Sequence, residues 1–484
     1  MINEIALLLM PFCQCFSRKA AYNWFVMVVF GLIVRLDQRG VTSFVRSLAL
    51  SPKHYDNMLH FFRSTSWNLS NIQECWMKIV HKTAPVLEMN GLVLMAGDCT
   101  KEPKEANKMP GVKKMHQDSE NSAKPTFIFG HNFGVLGLLA GTTDKKFCIP
   151  ILAEIHEGVE ELRAFQGKEA PVVQGEKDTT IVTLMLQSAI TVTKITDMAH
   201  MLIVDAYYAV GKTFVMAKSC VDETGKQLLH VITRAKGNVV AYIGPEPETN
   251  STIKKRGRKP IWGTKIKLKE QFHLRSNDFT ETRITIYGKE ETISYLCLDL
   301  IWKEINQRIR FVLVKDGPSM FILMCSSLEW SPVDIILAYS YRFKIELTFK
   351  ALKQLLGSFC YHFWTAVMPR LSKKVPVNLG LITDPETKQR IAAVANAIEG
   401  FVNFACIALG CLQIIALAGP QKVWNQYTGW LRTKRTHVPS EEIVRSVVQE
   451  SFYHNFGDFS NCLIFRILMA KRRRTQYWYR DHAA

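Results

Sequence analysis

The chain has 484 residues, 48 % of them hydrophobic, which suits an ordinary globular protein of about two to four domains. Lys and Arg number 61 against 43 Asp and Glu, so a net charge of +18 and a pI near 9.3 favour a polyanionic partner, either nucleic acid or an anionic membrane surface, with a merely basic soluble protein as the bland alternative. The twelve cysteines include no C-x-x-C and sit mostly in apolar runs, which excludes a zinc ribbon or disulfide frame and points to reduced thiols in the cytoplasm.

Residues 1–88 read as a helical N-terminal region, a candidate DNA-binding unit. WFVMVVFGLIV (24–34) is too short to span a bilayer and runs into Arg35, so it reads as a core helix. TSFVRSLAL is followed by Ser51 and Pro52, an N-cap and first helical residue for PKHYDNMLHFFR. Two short helices with a tight break fit a helix-turn-helix or a plain bundle.

Residues 89–236 alternate strand and helix. GLVLMAGD is a strand closing on Asp98, followed by a polar loop carrying Lys101, Lys104, Lys108, Lys113 and Lys114. PTFIFGHNFGVLGLLAG and FCIPILAEI read as two strands, with His131 structural, and 177–195 as a helix. MLIVD is a strand closing on Asp205, GKTFVMAKSCVDETG a helix closed by Gly225, and LLHVITRA a further strand.

Residues 237–330 form a β-rich insertion with RITIYG, TISYLCLDL, IRFVLVKDG and MFILMCS as strands. Its basic loop presents Lys254, Lys255, Arg256, Arg258 and Lys259 around an Arg-Gly-Arg core, for either minor-groove reading or nonspecific phosphate contact. Trp262 is placed to stack on a base or to pack the insertion. The spacing then predicts one long helix, N-capped by Ser331 with Pro332 in its first turn and Asp334 at the capping-box position, and C-capped by Gly357. Residues 331–375 return to the core, and 376–484 are a helical C-terminal region. Its apolar run 401–419 is interrupted by Asn403 and Gln413, as in a buried helix, and its tail holds KRRR (471–474), Tyr477, Trp478 and Tyr479.

Two aspartates at the ends of neighbouring strands repel each other unless a divalent cation lies between them. Mg²⁺ takes a few carboxylates together with water and phosphate oxygens. A third carboxylate from a packed helix would complete such a site, and Glu346 is the candidate. At about 100° per residue, Tyr339, Arg342, Glu346 and Lys353 fall within roughly 60° of one helix face, joined by Lys350. Taken alone, each aspartate also suits a cap, and Glu346 a solvated ion-pair face.

The run Tyr339-x2-Arg342-x3-Glu346-x6-Lys353 resembles the Y-R-E-K signature of insertion-sequence transposases of the DDE type. The order Asp98, Asp205, Glu346, with a β-rich segment before the glutamate, is similar to theirs as well. The resemblance implies an RNase H-like α/β fold: a mixed-sheet catalytic core with a β-rich insertion and helical flanks. It implies cleavage at element ends and strand transfer into target DNA, with a hairpin intermediate in some members. Asp98, Asp205 and Glu346 would hold two Mg²⁺ ions, with Mn²⁺ as a substitute; Tyr339, Arg342, Lys350, Lys353 and Lys101 would contact DNA. The partners implied are double-stranded DNA and a second copy of the chain, without a membrane, in a prokaryotic cell. The rival readings are an RNase H-like nuclease or resolvase without strand transfer, a non-cleaving DNA-binding descendant, and a membrane-associated protein built on the apolar runs.

Overall fold

A computed structural model describes residues 1–117, 125–244, 261–286, 289–372, 377–432 and 437–472. The N-terminal region forms helices α1 (Ile2–Leu9), α2 (Lys19–Val34), α3 (Gly40–Ser47), α4 (His54–Phe62) and α5 (Leu69–Thr83). A segment apolar on every face must be buried on every face, and from Trp24 to Val34 every residue of α2 is. α4 starts at His54, later than expected: Ser51 and Pro52 lie in a turn in which the His54 N–H donates to the Ser51 carbonyl at 2.9 Å.

The core sheet is built from β1 (Leu92–Pro103), β2 (Phe127–Gly141), β3 (Lys146–Ile155), β4 (His200–Val204) and β5 (Leu229–Arg234). Its order is β3-β2-β1-β4-β5, with β1, β4 and β5 parallel and β2 antiparallel to both neighbours. This is the RNase H-like arrangement. α6 (Ile181–Thr196) leads into β4, and α7 (Gly211–Ser219) carries the chain from β4 to β5. α6 begins on a reciprocal cap between Thr180 and Thr183. Gly225 does not close α7, which ends at Cys220; it occupies, at φ +85°, the turn joining the bridged residues Val221 and Gln227.

The insertion supplies β6 (Val240–Tyr242), α8 (Leu268–Leu274), β7 (Thr280–Ile286), β8 (Lys289–Trp302), β9 (Gln307–Asp316) and β10 (Ser319–Cys325). It extends the same sheet, because β10 pairs antiparallel with β5 at Leu323 and Arg234. A small second core of Phe214, Leu268, Phe272, Trp302 and Phe311 anchors it beside α7. Trp262 takes the packing role, donating to Asn306 Oδ1 at 2.9 Å with the Lys303 ammonium over its ring.

The long helix expected from Ser331 to Gly357 is broken. Ser331 does cap α9 (Pro332–Ser340), accepting from the Asp334 N–H at 3.1 Å, but the Asp334 carboxylate accepts from Asn90 instead of completing a capping box. At Tyr341 and Arg342 the backbone bonds tighten to i→i−3, α10 (Phe343–Lys350) follows, and Ala351–Leu355 widens into a π turn before Gly357 at φ +60°. One constant angle per residue therefore does not relate Tyr339 to Lys353.

The C-terminal region holds α11 (Pro385–Ala418), α12 (Pro420–Gln426), α13 (Glu441–Tyr453) and α14 (Leu463–Met469). Among the described residues α11 is the one helix long and apolar enough to cross a bilayer, yet 94 % of its most apolar window is buried in the protein. Its polar residues serve the open edge of β3. Asn403 donates to the Ala153 carbonyl at 2.7 Å and accepts from the Ala153 N–H at 3.1 Å, and Glu399 accepts from the Ile155 N–H at 2.9 Å. Gln413 reaches the Cys148 carbonyl at 3.5 Å. Buried backbone groups need partners, so the helix that buries the edge strand carries the amides and carboxylate that satisfy it. All twelve cysteines are free thiols.

Candidate active site at the end of the parallel strands

Asp98 is not the last residue of its strand. β1 runs on to Pro103 against β2, and what ends beside Asp98 is its parallel neighbour β4, at Val204. The register pairs Val93 with His200 and Ala96 with Ile203; carried two residues further, it sets Asp98 level with Asp205. The two acids thus lie where one of two parallel strands stops, the usual position for a site in an α/β sheet.

Asp205 is both a cap and a member of this cluster. Its Oδ1 accepts from the Tyr207 N–H at 3.0 Å, and its carbonyl accepts from Thr233 Oγ1, at the end of β5, at 2.6 Å. Asp98 Oδ1 accepts from the Cys99 N–H at 2.7 Å. α10 is seated by the buried Ile345 and Phe349 and brings Arg342 and Glu346 over the sheet. Arg342 Nη1 donates to Asp98 Oδ2 at 3.1 Å while Nη2 donates to Glu346 Oε1. One guanidinium therefore bridges two of the three acids that were expected to meet.

The electrostatics record the crowding. Burial, then repulsion from Asp205, pushes the Asp98 carboxyl up to about 6 against the pull of Arg342. Burial also raises Asp205, with Glu346 adding to the rise and Arg342 opposing it. Burial acts to lower Arg342, but Asp98, Tyr339, Glu346 and Asp205 together raise it. Tyr339, at the end of α9, is raised by burial and held back by Arg342 and Arg234. The tyrosine thus faces the same cluster.

Lys353 and Lys350 lie elsewhere. The π turn directs Lys353 to Glu102 on β1, with which it forms an ion pair. Lys350 lines a separate groove with Lys145, Lys146 and Lys344, apart from the three acids and shared with Glu441 and Glu442. The segment after Asp98 is less loop-like than expected, since β1 continues and Lys113–His116 forms a short strand on β2. Its lysines have partners within the chain. Lys101 donates to the His116 carbonyl at 2.7 Å, Lys104 to that of Phe359, Lys108 to that of Ala366 at 2.7 Å, Lys113 pairs with Glu157 at 3.2 Å, and Lys114 lies over Phe127. His131 is structural, buried between the Tyr361 hydroxyl at 2.6 Å and the Pro110 carbonyl at 2.8 Å. Lys254, Lys255, Arg256, Arg258 and Lys259 lie outside the described residues, as do Tyr477, Trp478 and Tyr479.

Sequence reasoning missed Thr233, Arg234 and the support beneath Asp98. On the opposite face of β1 the Cys99 thiol meets the Tyr208 hydroxyl at 3.3 Å and His156 Nδ1 at 3.6 Å. A signal for the first two was present: LLHVITRA is a third parallel strand, and its last residues reach the same sheet edge.

As they stand, no group of three or more His, Cys, Asp or Glu side chains among the described residues could hold a metal ion. The donor chemistry nevertheless fits a divalent cation. Asp98 and Asp205 lie level on neighbouring strands, Glu346 is joined to Asp98 through Arg342, and burial raises the first two carboxyls, with a neighbouring carboxylate adding to each.

Residues 11–285, more than half of the chain, match the family model for the DDE superfamily endonuclease. The matched segment contains Asp98 and Asp205 and ends before Glu346. No curated protein matches the chain.

Proposed function

Because the chain belongs to the DDE superfamily of endonucleases, we propose that it is a transposase of the insertion-sequence type, with Asp98, Asp205 and Glu346 as its metal-holding acids and Tyr339, Arg342, Glu346 and Lys353 as its Y-R-E-K set. The observation that carries this reading is the Arg342 bridge, which ties Glu346, outside the matched segment, to Asp98 inside it. Its substrate is double-stranded DNA at the element ends and then at the target, and two copies of the chain act in the DNA complex.

Divalent cations held by the three acids would stabilise charge on the attacking and leaving oxygens of an in-line phosphoryl displacement. The chain's own residues position and neutralise. Arg342, with a planar fork of donors, transfers from the carboxylates to a DNA phosphate as the substrate enters. The Tyr339 phenol, raised by burial, stays protonated and donates to a phosphate oxygen. Thr233 holds the Asp205 carbonyl, so the carboxylate keeps its aim. Lys353 leaves Glu102 for the backbone beyond the cleaved end. Water is the first nucleophile and the freed 3′ hydroxyl the second; a hairpin at the excised end is the variant in which that hydroxyl attacks the opposite strand.

The test is a cleavage and joining assay on element-end DNA with Mg²⁺. Wild type should nick and join, and Asp205→Ala and Glu346→Gln should each lose at least about 10²-fold in cleavage while still binding DNA. Nicked substrate that is never joined to target would replace transposition with simple nuclease activity. Equal, undetectable cleavage by wild type and Asp205→Ala would reduce the chain to a DNA-binding protein.

A further inference from the structure

Beside Asp205 the sheet edge opens into a groove between the end of β5, the start of β10 and α8 of the insertion. It is lined by Ala206, Arg234, Lys236, Lys269, His273 and Phe321, among others, and no carboxylate among the described residues lines it. Arg234, Lys236, Lys269 and His273 are exposed, and none of them forms an ion pair with a described residue. Arg234 is held in place from two sides. Its backbone is paired with Leu323 of β10, and its guanidinium lies over the Phe321 ring at 5.5 Å. The residue before it, Thr233, bonds the carbonyl of Asp205, so the groove and the acid cluster share one rigid strand end. The lysine groove along α10 is a weaker candidate for an anion, since Glu441 and Glu442 form part of its wall.

We propose that this groove holds the sugar–phosphate backbone of duplex DNA on the Asp205 side of the scissile phosphate, with Arg234, Lys236 and Lys269 as phosphate contacts. The inference rests on the transposase reading and deepens it, giving the insertion a task that its basic loop alone did not specify. Three cations with no ion-pair partner among the described residues, on a concave surface that no described carboxylate lines, concentrate positive potential beside Asp205, where an extended polyanion would approach it. The contacts are to phosphate and carry no base preference.

The experiment is fluorescence anisotropy of a labelled duplex with the full chain in Ca²⁺, across a salt series, so that binding is read without cleavage. Each phosphate contact contributes about 0.9 to the slope of log affinity against log salt. The triple variant Arg234→Gln, Lys236→Gln, Lys269→Gln should lower that slope by about 2 to 3, to a similar extent on unrelated duplex sequences. Lys422→Gln, on α12 and already neutralised by Glu4, should leave the slope unchanged, and matching melting temperatures will show that each variant is folded. A triple variant with the wild-type slope overturns the groove while leaving the transposase reading intact, if wild type still cleaves. A wild-type chain that binds no duplex overturns both.

Discussion

Arg342 Nη1 sits 3.1 Å from Asp98 Oδ2 while the same guanidinium holds Glu346. The positive charge that a cluster of half-buried carboxylates calls for is thus supplied by the protein itself. On the proposed metal-holding role of these acids, a guanidinium and a divalent cation would compete for the same oxygens. Arg342→Gln should let the DNA-free protein bind Mn²⁺ about tenfold more tightly, roughly 1.4 kcal/mol, by titration calorimetry. The same variant should bind DNA more weakly. Unchanged or weaker Mn²⁺ binding would mean that Arg342 does not compete.

Asp98 costs the folded chain stability. Burial, then the neighbouring Asp205, pushes its carboxyl up to about 6 in the folded chain from an ordinary value of 3.8. Between those values the folded state keeps a proton that the unfolded state has lost, so this group's contribution to stability falls as pH rises through the window, and the full cost persists above it. Asp98→Asn should therefore stabilise the protein at pH 7 by about 1 to 3 kcal/mol, lessened by what Arg342 loses. The gain should vanish below about pH 4, where Asp98 is protonated in both states. Thermal melts of both proteins across that range are the measurement.

Asn403→Leu should be among the most costly single changes in α11. The residue is 2 % exposed and satisfies both backbone groups of Ala153 on the edge of β3. Leucine would leave an N–H and a carbonyl buried without partners, at a cost of about 2 to 4 kcal/mol, read from urea unfolding. A loss below about 0.5 kcal/mol would mean that water reaches the edge in its place.

Gly134 lies opposite Cys99 in the β1–β2 ladder, and a Cβ built there would stand 1.9 Å from the His156 ring. Gly134→Ala must displace the imidazole that meets the Cys99 thiol, at a cost of about 1 to 3 kcal/mol. Adding His156→Ala should recover part of that loss, since it removes the clashing atoms. No recovery in the double variant would place the strain in the backbone instead.

Much of the architecture was legible because it depends on local pattern. Short apolar runs bounded by turns marked β1 to β5, and Ser331 with Pro332 marked the start of α9 for reasons of capping alone. The nearness of Asp98 and Asp205 was expected from strand ends, but the reason was wrong: the strands have 12 and 5 residues, and it is the parallel register of β1 and β4 that sets the two acids level. The three acids were candidates on residue type and order, before any contact was known. Other features depend on backbone breaks or on contacts between residues well apart in the chain, and no simple local pattern encodes them. The break at Tyr341 and the π turn at Lys353 rotate side chains off the expected face. The continuation of β1 past Asp98 needs β2 as a partner, and the value of Asn403 in an apolar helix becomes clear only once β3 is seen to lack a neighbour. The sequence by itself determined which groups carry charge and which segments bury themselves, because these follow from side-chain chemistry. Only the tertiary structure decided that Arg342 bridges Asp98 and Glu346 and that Thr233 bonds the Asp205 carbonyl, because Coulomb and hydrogen-bond energies depend on distances that packing sets.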